Sequence, residues 1–499
     1  MDVRGAIGTI ESYQADAIVV GLFEGHQPEG AAQAVDQALE GAIGDLLAGG
    51  DLRGEVEETV VLYARGAIPA RRVIVVGLGP QDDWDLAVAR KVAHQFTQKA
   101  RELKVRRLAI PLFDRGGAEA MAQAVAESSL LATYDYRGQK TDDAPESLPE
   151  VLELVIQEEE GLSSVQQGIA AGQAVAAAVA LTRDLVNLPP NICTPEHMAG
   201  MARQVAEEVG LRVEVLGQKQ MEALGMGALL AVAQGSDTPP RFIILEHNAG
   251  RAQELDTVVL IGKGVTFDTG GYNLKPGDGM QHMKTDMAGA AAVIGAMRAI
   301  GALGVPLHVV GLAPAADNMI SGHAYRPQEV ITASNGTTIE IVSTDAEGRM
   351  LLADALVFAD RYQPAAVIDI ATLTGACVVA LGKVAAGLFA TDDRLRETLL
   401  AAGDAAGERL WPMPLFPEYE KTLESQTADV KNSGGRTGGV GSSATFLKHF
   451  VSYPAWAHID MAGMAFQQSP KDAPFIPVKG ATGFGVRLMT EFVRRWADQ

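Results

Sequence analysis

Residues 257–277 read TVVLIGKGVTFDTGGYNLKPG, and this stretch changes character halfway along. Its first part, TVVLIGKGV, is a continuous apolar run with the length and β-branching of a strand buried on both faces, as in a parallel sheet. The apolar strand is expected to end at Lys263, with Asp268 five positions later, then the Gly270-Gly271 turn and Lys275. Open α/β sheets place their ligands at the carboxyl ends of such strands. Working outward, PLHVVGLAP (306–314), TIEIVST (338–344), AAVIDIATL (365–373) and AWAHIDMAG (455–463) read as further buried strands. AGAAAVIGAMRAIGAL (288–303) and RMLLADALVFADRY (349–362) read as the helices between them. This alternation predicts an α/β domain with a central, mostly parallel sheet.

The amino-terminal third alternates in the same way. DAIVVGLFEG (16–25), VEETVVLYARG (56–66), RRVIVVGLGP (71–80) and VRRLAIPLF (105–113) are short and strand-like, with AVARKVAHQFTQKARELK (87–104) helical between the last two. Gly77-Leu78-Gly79 lacks the third glycine of a dinucleotide loop, because Asp82 stands there, and reads as a strand-exit turn. After the acidic triplet Glu158-Glu159-Glu160, read as a solvated face or cap, the stretch 163–187 reads as one Ala-rich helix ending before Pro189-Pro190. The expected organisation is a smaller α/β domain over 1–160, a linking helix within 161–190 and a larger α/β domain over 191–499.

Bulk properties exclude several classes. Among 499 residues, 47% are hydrophobic and 21% charged, an ordinary globular composition. With 41 basic against 62 acidic residues the formal charge is −21, which disfavours general binding to nucleic acid or acidic membranes. Only Cys193 and Cys377 are present, without C-x-x-C spacing, so neither a disulfide framework nor a thiolate metal site is expected. The opening residues carry no apolar signal core and no run approaches a spanning helix; a cytoplasmic location is the expectation.

The chemistry concentrates between Lys263 and Arg349. Alone, Lys263 and Asp268 read as an ion pair, and Gly262-Lys263-Gly264 lacks the spacing of a phosphate loop. Asp286, in MKTDMAGAAAV (283–293), stands at an expected N-cap before a helix whose small residues allow close backbone approach. In IEIVSTDAEGRMLLADAL (339–356), Asp345, Glu347 and Arg349 alternate, which in extended chain points all three to one face. Crowded carboxylates repel unless cations lie between them, so the surplus of acid argues for divalent metal. No H-E-x-x-H occurs, and His282, His323 and His458 read as structural or surface residues. A carboxylate-rich site suits Mg, Mn or Zn, and a nitrogen donor such as a neutral Lys263 shifts the preference toward Zn or Mn.

KGVTFDTGG, MKTDM, STDAEGR and ATLTGACVVALG (371–382), with LTRDLVNLPPNICTP (181–195) before them and GATGFGVRL (480–488) after, together resemble the leucyl aminopeptidase (cytosol aminopeptidase) family. The likeness spans the carboxyl-terminal two-thirds in order and spacing; the first third resembles that family's smaller, macro-domain-like domain through DAIVVGLFEG. Where the family usually has Asn, Ser and Leu, this chain has Ser343, Thr269 and Met350. The resemblance implies a dinuclear-metal aminopeptidase that releases an N-terminal residue, preferably Leu or another apolar one, from peptides through attack by a metal-bridged hydroxide. It implies one metal held by Lys263, Asp268, Asp286 and Glu347, and a second held by Asp268, Asp345 and Glu347. It further implies Lys275 as the electrophile, a bicarbonate ion at Arg349 as general base, and substrate contacts from Met283, Thr372, Leu373 and Gly375. The Gly-rich GGRTGGVGSSATF (434–446) is then expected near the active site without a nucleotide, and the chain in a homohexamer, a dimer of trimers. The alternatives are another two-metal hydrolase such as a phosphoesterase, an aminopeptidase with a secondary DNA-binding role, and an inactive homologue.

Overall fold

The computed structural model describes residues 1–113, 117–142, 148–468 and 479–498. It divides into two compact units, Met1–Ala177 and Ala178–Gln499, with the division inside the long helix Leu162–Asn187.

The first unit is built on a six-stranded sheet. Its strands are β1 (Asp2–Ile7), β2 (Ala17–Phe23), β3 (Thr59–Tyr63), β4 (Arg72–Gly79), β5 (Arg107–Pro111) and β6 (Val151–Ile156), in the order β1-β6-β5-β2-β4-β3. Every pairing is parallel except β3 with β4. The helices Leu86–Glu102 and Ala118–Ala132 pack on one face, against a core that includes Val19, Ile74, Val76, Phe96, Leu108 and Leu154.

The second unit carries the larger sheet. Its strands are β7 (Arg212–Leu216), β8 (Arg241–His247), β9 (Thr257–Gly262), β10 (Gly264–Asp268), β11 (His308–Asn318), β12 (Val330–Thr332), β13 (Thr338–Glu340), β14 (Ala366–Ala371), β15 (Ala386–Ala390), β16 (Leu410–Pro412), β17 (Val430–Lys431) and β18 (Trp456–Asp460). The main sheet runs β16-β15-β18-β14-β9-β11-β8-β7, with β10 added beside β11; β12, β13 and β17 form a separate small sheet. The central strands β18, β14, β9 and β11 are mutually parallel, whereas the flanking β15, β8 and β7 join antiparallel. All six residues of β9 and of β14 are buried, as expected for strands covered on both faces. Each buried Val, Leu or Ile contributes roughly 1.5–3 kcal/mol, so these runs alone strongly favour this register.

Two helices set the depth of the centre. Ala288–Leu303 lies against the middle of the sheet, and its first turn fits only because it is made of Ala and Gly. A Cβ on Gly289 would lie 2.2 Å from the Ile370 carbonyl oxygen, so the helix could not approach β9 and β14 as it does. Gly348–Ala359 packs its apolar face, through Leu351, Leu352 and Leu356, into a core with Val259, Ile261, Val310 and Leu312 of the sheet. The stretches Glu159–Asn187 and Gly277–Leu303 are long and apolar enough to cross a bilayer by composition, but most of each is buried inside the protein, as in core helices.

Candidate metal centre

The strand starting at Thr257 ends at Gly262, within one residue of expectation, and a second strand, β10, starts at Gly264 and runs to Asp268, so Lys263 sits at the break and Asp268 at the outer end. Asp286 is not the N-cap of the following helix. Met287 occupies that position, and the Asp286 carboxylate instead accepts hydrogen bonds from Lys263 Nζ (2.8 Å) and Thr372 Oγ1 (2.7 Å). Nor are Asp345, Glu347 and Arg349 in extended chain. β13 stops at Glu340, Asp345 is in a turn, Glu347 has helical backbone as the N-cap of Gly348–Ala359, and Arg349 lies in the helix. The expected alternation therefore does not exist; a turn and a helix start bring these side chains round to the cleft.

Despite those local differences, every residue expected in the site lines one cleft of about 860 Å³: Lys263, Asp268, Lys275, Met283, Asp286, Asp345, Glu347, Arg349, Thr372, Leu373 and Gly375. The 434–446 stretch, which turns into a helix at Gly439, also reaches this cleft through Gly435, Arg436 and Gly439. Lys263 Nζ lies 2.8 Å from both Asp286 Oδ1 and Glu347 Oε1 and donates to the Thr372 carbonyl at 2.9 Å. Lys275 Nζ lies 2.7 Å from Asp268 Oδ2 and 2.6 Å from Asp345 Oδ1. Arg349, although buried, does not pair with these acids; it donates to the Asn432 carbonyl (2.7 Å) and to Ser443 Oγ (2.6 Å).

Burial and mutual repulsion set the electrostatics. Burial opposes the charge on Lys263, but Asp286, Glu347 and Asp268 overcome it and hold the ammonium above its usual range. The same balance, with Glu347, Asp268 and Asp345 as the acids, raises Lys275. Burial and the neighbouring Glu347 charge push the Asp268 and Asp286 carboxyls upward, Lys275 and Lys263 offsetting them only in part. Glu347, also buried, is drawn below its usual range by Lys263 and Lys275. Burial pulls Arg349 down to about 10, still a cation at neutral pH. A neutral Lys263 is thus not its state in the chain by itself: the two lysines serve as counter-ions to the acids, and only further positive charge would displace that proton.

The donor set fits divalent cations. Asp268, Asp286 and Glu347 are buried and offer oxygens within 4.8 Å of one another. Asp286 Oδ2 and Glu347 Oε2 are buried without a hydrogen-bond partner, a costly arrangement for an oxygen facing only protein.

The supporting residues were harder to foresee. Asn318, at the end of β11, donates from Nδ2 to Asp268 Oδ1 (2.7 Å) and to the Thr344 carbonyl (3.0 Å). Tyr325 donates to the same carbonyl at 2.9 Å. A polar residue ending a buried strand was the available signal for Asn318. The histidines stay outside the donor set: His458 is buried with Nδ1 2.5 Å from Asp369 Oδ1, and His282 stacks on Phe466. Both cysteines are buried and form no disulfide, and burial lifts each thiol to about 12, far from a reactive thiolate.

Comparison with known proteins agrees with this arrangement. Residues 180–490 match the model of the cytosol aminopeptidase family catalytic domain, and residues 19–143 match that family's N-terminal domain. A protein described as a probable cytosol aminopeptidase from Roseiflexus castenholzii is 46% identical, with both chains covered in full. Another so described, from Methylobacillus flagellatus, is 42% identical over 99% of each chain. Among solved structures, a mutant of tomato leucine aminopeptidase aligns with a TM-score of 0.88 at 32% identity, covering 99% of this chain and 96% of that one. The bottromycin maturation enzyme BotP in complex with Mn aligns at 0.84 and 35% identity, covering 97% and 100%. On this evidence the chain belongs to the cytosol aminopeptidase family.

Proposed function

We propose that this chain is a dinuclear-metal aminopeptidase that removes an N-terminal residue, preferably Leu or another apolar one, from peptides. The observation that carries the reading is the buried trio Asp268, Asp286 and Glu347, two of whose oxygens receive no hydrogen bond. Lys263, Asp268, Asp286 and Glu347 would hold one cation, and Asp268, Asp345 and Glu347 the second, with Zn or Mn favoured and Mg admissible. When bound, the pair supplies Lewis acidity and lowers the pKa of a water that attacks the scissile carbonyl.

The remaining work falls to the chain's own residues. The substrate's free amine would bind at one of the two cations, which selects a chain terminus. Lys275, at the mouth side of Asp268, directs an ammonium at the carbonyl oxygen as negative charge develops there. Arg349 holds its guanidinium against Asn432 and Ser443, fixed in place to bind bicarbonate, which accepts the water's proton. Met283, Thr372, Leu373 and Gly375 form the wall that receives the apolar side chain. The acidic surface disfavours nucleic acid, and we assign the enzyme to the cytoplasm as a homohexamer.

The test is a panel of aminoacyl amides run beside their N-acetylated forms and a phosphate ester, all with Mn or Zn supplied. Turnover of the free-amine leucyl substrate, with none of the blocked substrate or the ester, is the expected result. Equal turnover of the blocked form, or turnover of the phosphate ester alone, would refute the assignment.

A further inference from the structure

We infer that Asp460 is a positioning residue for the substrate-facing wall of the cleft, a role resting on the aminopeptidase reading above. Asp460 is the last residue of β18 and is buried. Its Oδ1 accepts from the backbone N–H groups of Leu373 (3.3 Å), Thr374 (3.5 Å) and Ala462 (3.2 Å). Its Oδ2 accepts from Thr374 Oγ1 at 2.6 Å, and that hydroxyl in turn accepts from Cys377 N (3.0 Å), capping the helix Gly375–Leu381. One carboxylate therefore receives the two backbone N–H groups and the hydroxyl of the Leu373-Thr374 pair that follows β14.

The consequence follows from peptide geometry. In a planar trans peptide the C=O of one residue points opposite the N–H of the next. Drawing the Leu373 N–H toward Asp460 turns the Thr372 carbonyl the other way, and that carbonyl accepts from Lys263 Nζ at 2.9 Å. Drawing the Thr374 N–H toward Asp460 turns the Leu373 carbonyl away as well, toward the cleft that Leu373 lines. Among the described residues the Leu373 carbonyl accepts no hydrogen bond. It is left to receive an N–H of the peptide substrate. Asp460 thus sets two carbonyls at once, one holding Lys263 in place and one facing the substrate, without itself touching either. A carboxylate suits the role because it only accepts, and here four donors converge on it.

The experiment compares the full-length protein with Asp460→Ala and Asp460→Asn by hydrogen exchange, bound-cation content and kinetics on leucine p-nitroanilide. In Asp460→Ala, exchange should rise in the 372–377 segment and at Ala462 but not elsewhere, cation content should hold because Asp286 and Glu347 still fix Lys263, and KM should rise about tenfold, the scale of a small misplacement of a binding group. Asp460→Asn keeps one acceptor oxygen for the amides and should recover most of the wild-type KM. If Asp460→Ala does not fold, Thr374→Val, which removes the donor to Oδ2 together with the cap on Cys377 N, should raise KM in the same direction. Unchanged KM and exchange would overturn the inference, as would exchange rising throughout the domain with loss of bound cation, which marks a fold-holding residue only. No turnover by the wild-type protein would instead overturn the aminopeptidase reading and this inference with it.

Discussion

Lys263 and Gly348 are matched across the centre: a Cβ on residue 348 would lie 2.4 Å from Lys263 Cε and 2.7 Å from its Nζ. The glycine that follows Glu347 is what lets the lysine pass beneath the helix start and reach both Glu347 and Asp286. Gly348→Ala should therefore displace the Lys263 side chain at a cost of about 1–3 kcal/mol, typical of overpacking. The variant should lose stability on thermal unfolding and bind cation more weakly by titration; a wild-type melting temperature and affinity would show that the fit is looser than described.

Lys263→Ala removes a buried counter-ion and leaves Asp286 and Glu347 facing each other. Loss of one partner of a buried pair costs roughly 3–5 kcal/mol. Thermal unfolding without added metal should register that loss. Activity should collapse and the tighter cation should dissociate more readily; full activity with two metals per chain would remove Lys263 from the donor set.

Arg349→Ala should lower activity and abolish any stimulation by added bicarbonate, because Asn432 and Ser443 alone carry no cation to hold the anion. Rates measured across a bicarbonate series check this. A variant that still responds to bicarbonate would displace the anion from Arg349.

Asp354 offers a pH test away from the metal centre. It is fully buried and accepts from Leu229 N and Ser334 N, tying the helix Gly348–Ala359 to the helix Gly227–Ala233 and the turn after β12. Burial pushes its carboxyl up to about 6, the two amides offsetting this only in part. Because the folded pKa lies above the unfolded one, the folded state binds the proton more tightly. The contribution of this group is therefore greatest at low pH and falls as pH rises from about 4 to about 6. Asp354→Asn does not titrate, so the wild type's stability relative to this variant should shrink by about 2–3 kcal/mol, as an upper bound, between those limits. Denaturant unfolding of both proteins at a series of pH values measures it, and a pH-independent difference would contradict the raised carboxyl.

The sheet was legible because strands buried on both faces read as unbroken apolar runs, TVVLIG and AVIDIA among them. The helix 288–303 was legible to the residue, since its small-residue composition marks it from end to end. Backbone state at the site was not. Asp286, Asp345 and Glu347 sit in short turns and helix starts whose geometry is dictated by distant partners: Thr372 holds Asp286, and Lys263 holds Glu347. Propensity and spacing do not encode contacts of that range, so an N-cap and an extended strand were expected where neither exists. That these side chains share one cleft was nonetheless foreseeable, because the family resemblance carries tertiary information that local pattern lacks. Asn318 and Asp460 went unremarked for a related reason: each looks like the ordinary polar end of a strand, and only the fold brings it against the site.

The buried acids are proposed to hold two cations that hydrolysis requires. The most direct test is to strip the protein with chelator, titrate back Zn or Mn, and follow both bound metal per chain and hydrolysis of leucinamide. The stripped protein should show no turnover, and recovery should saturate with two cations bound per chain. Full turnover in the stripped, metal-free protein would contradict this.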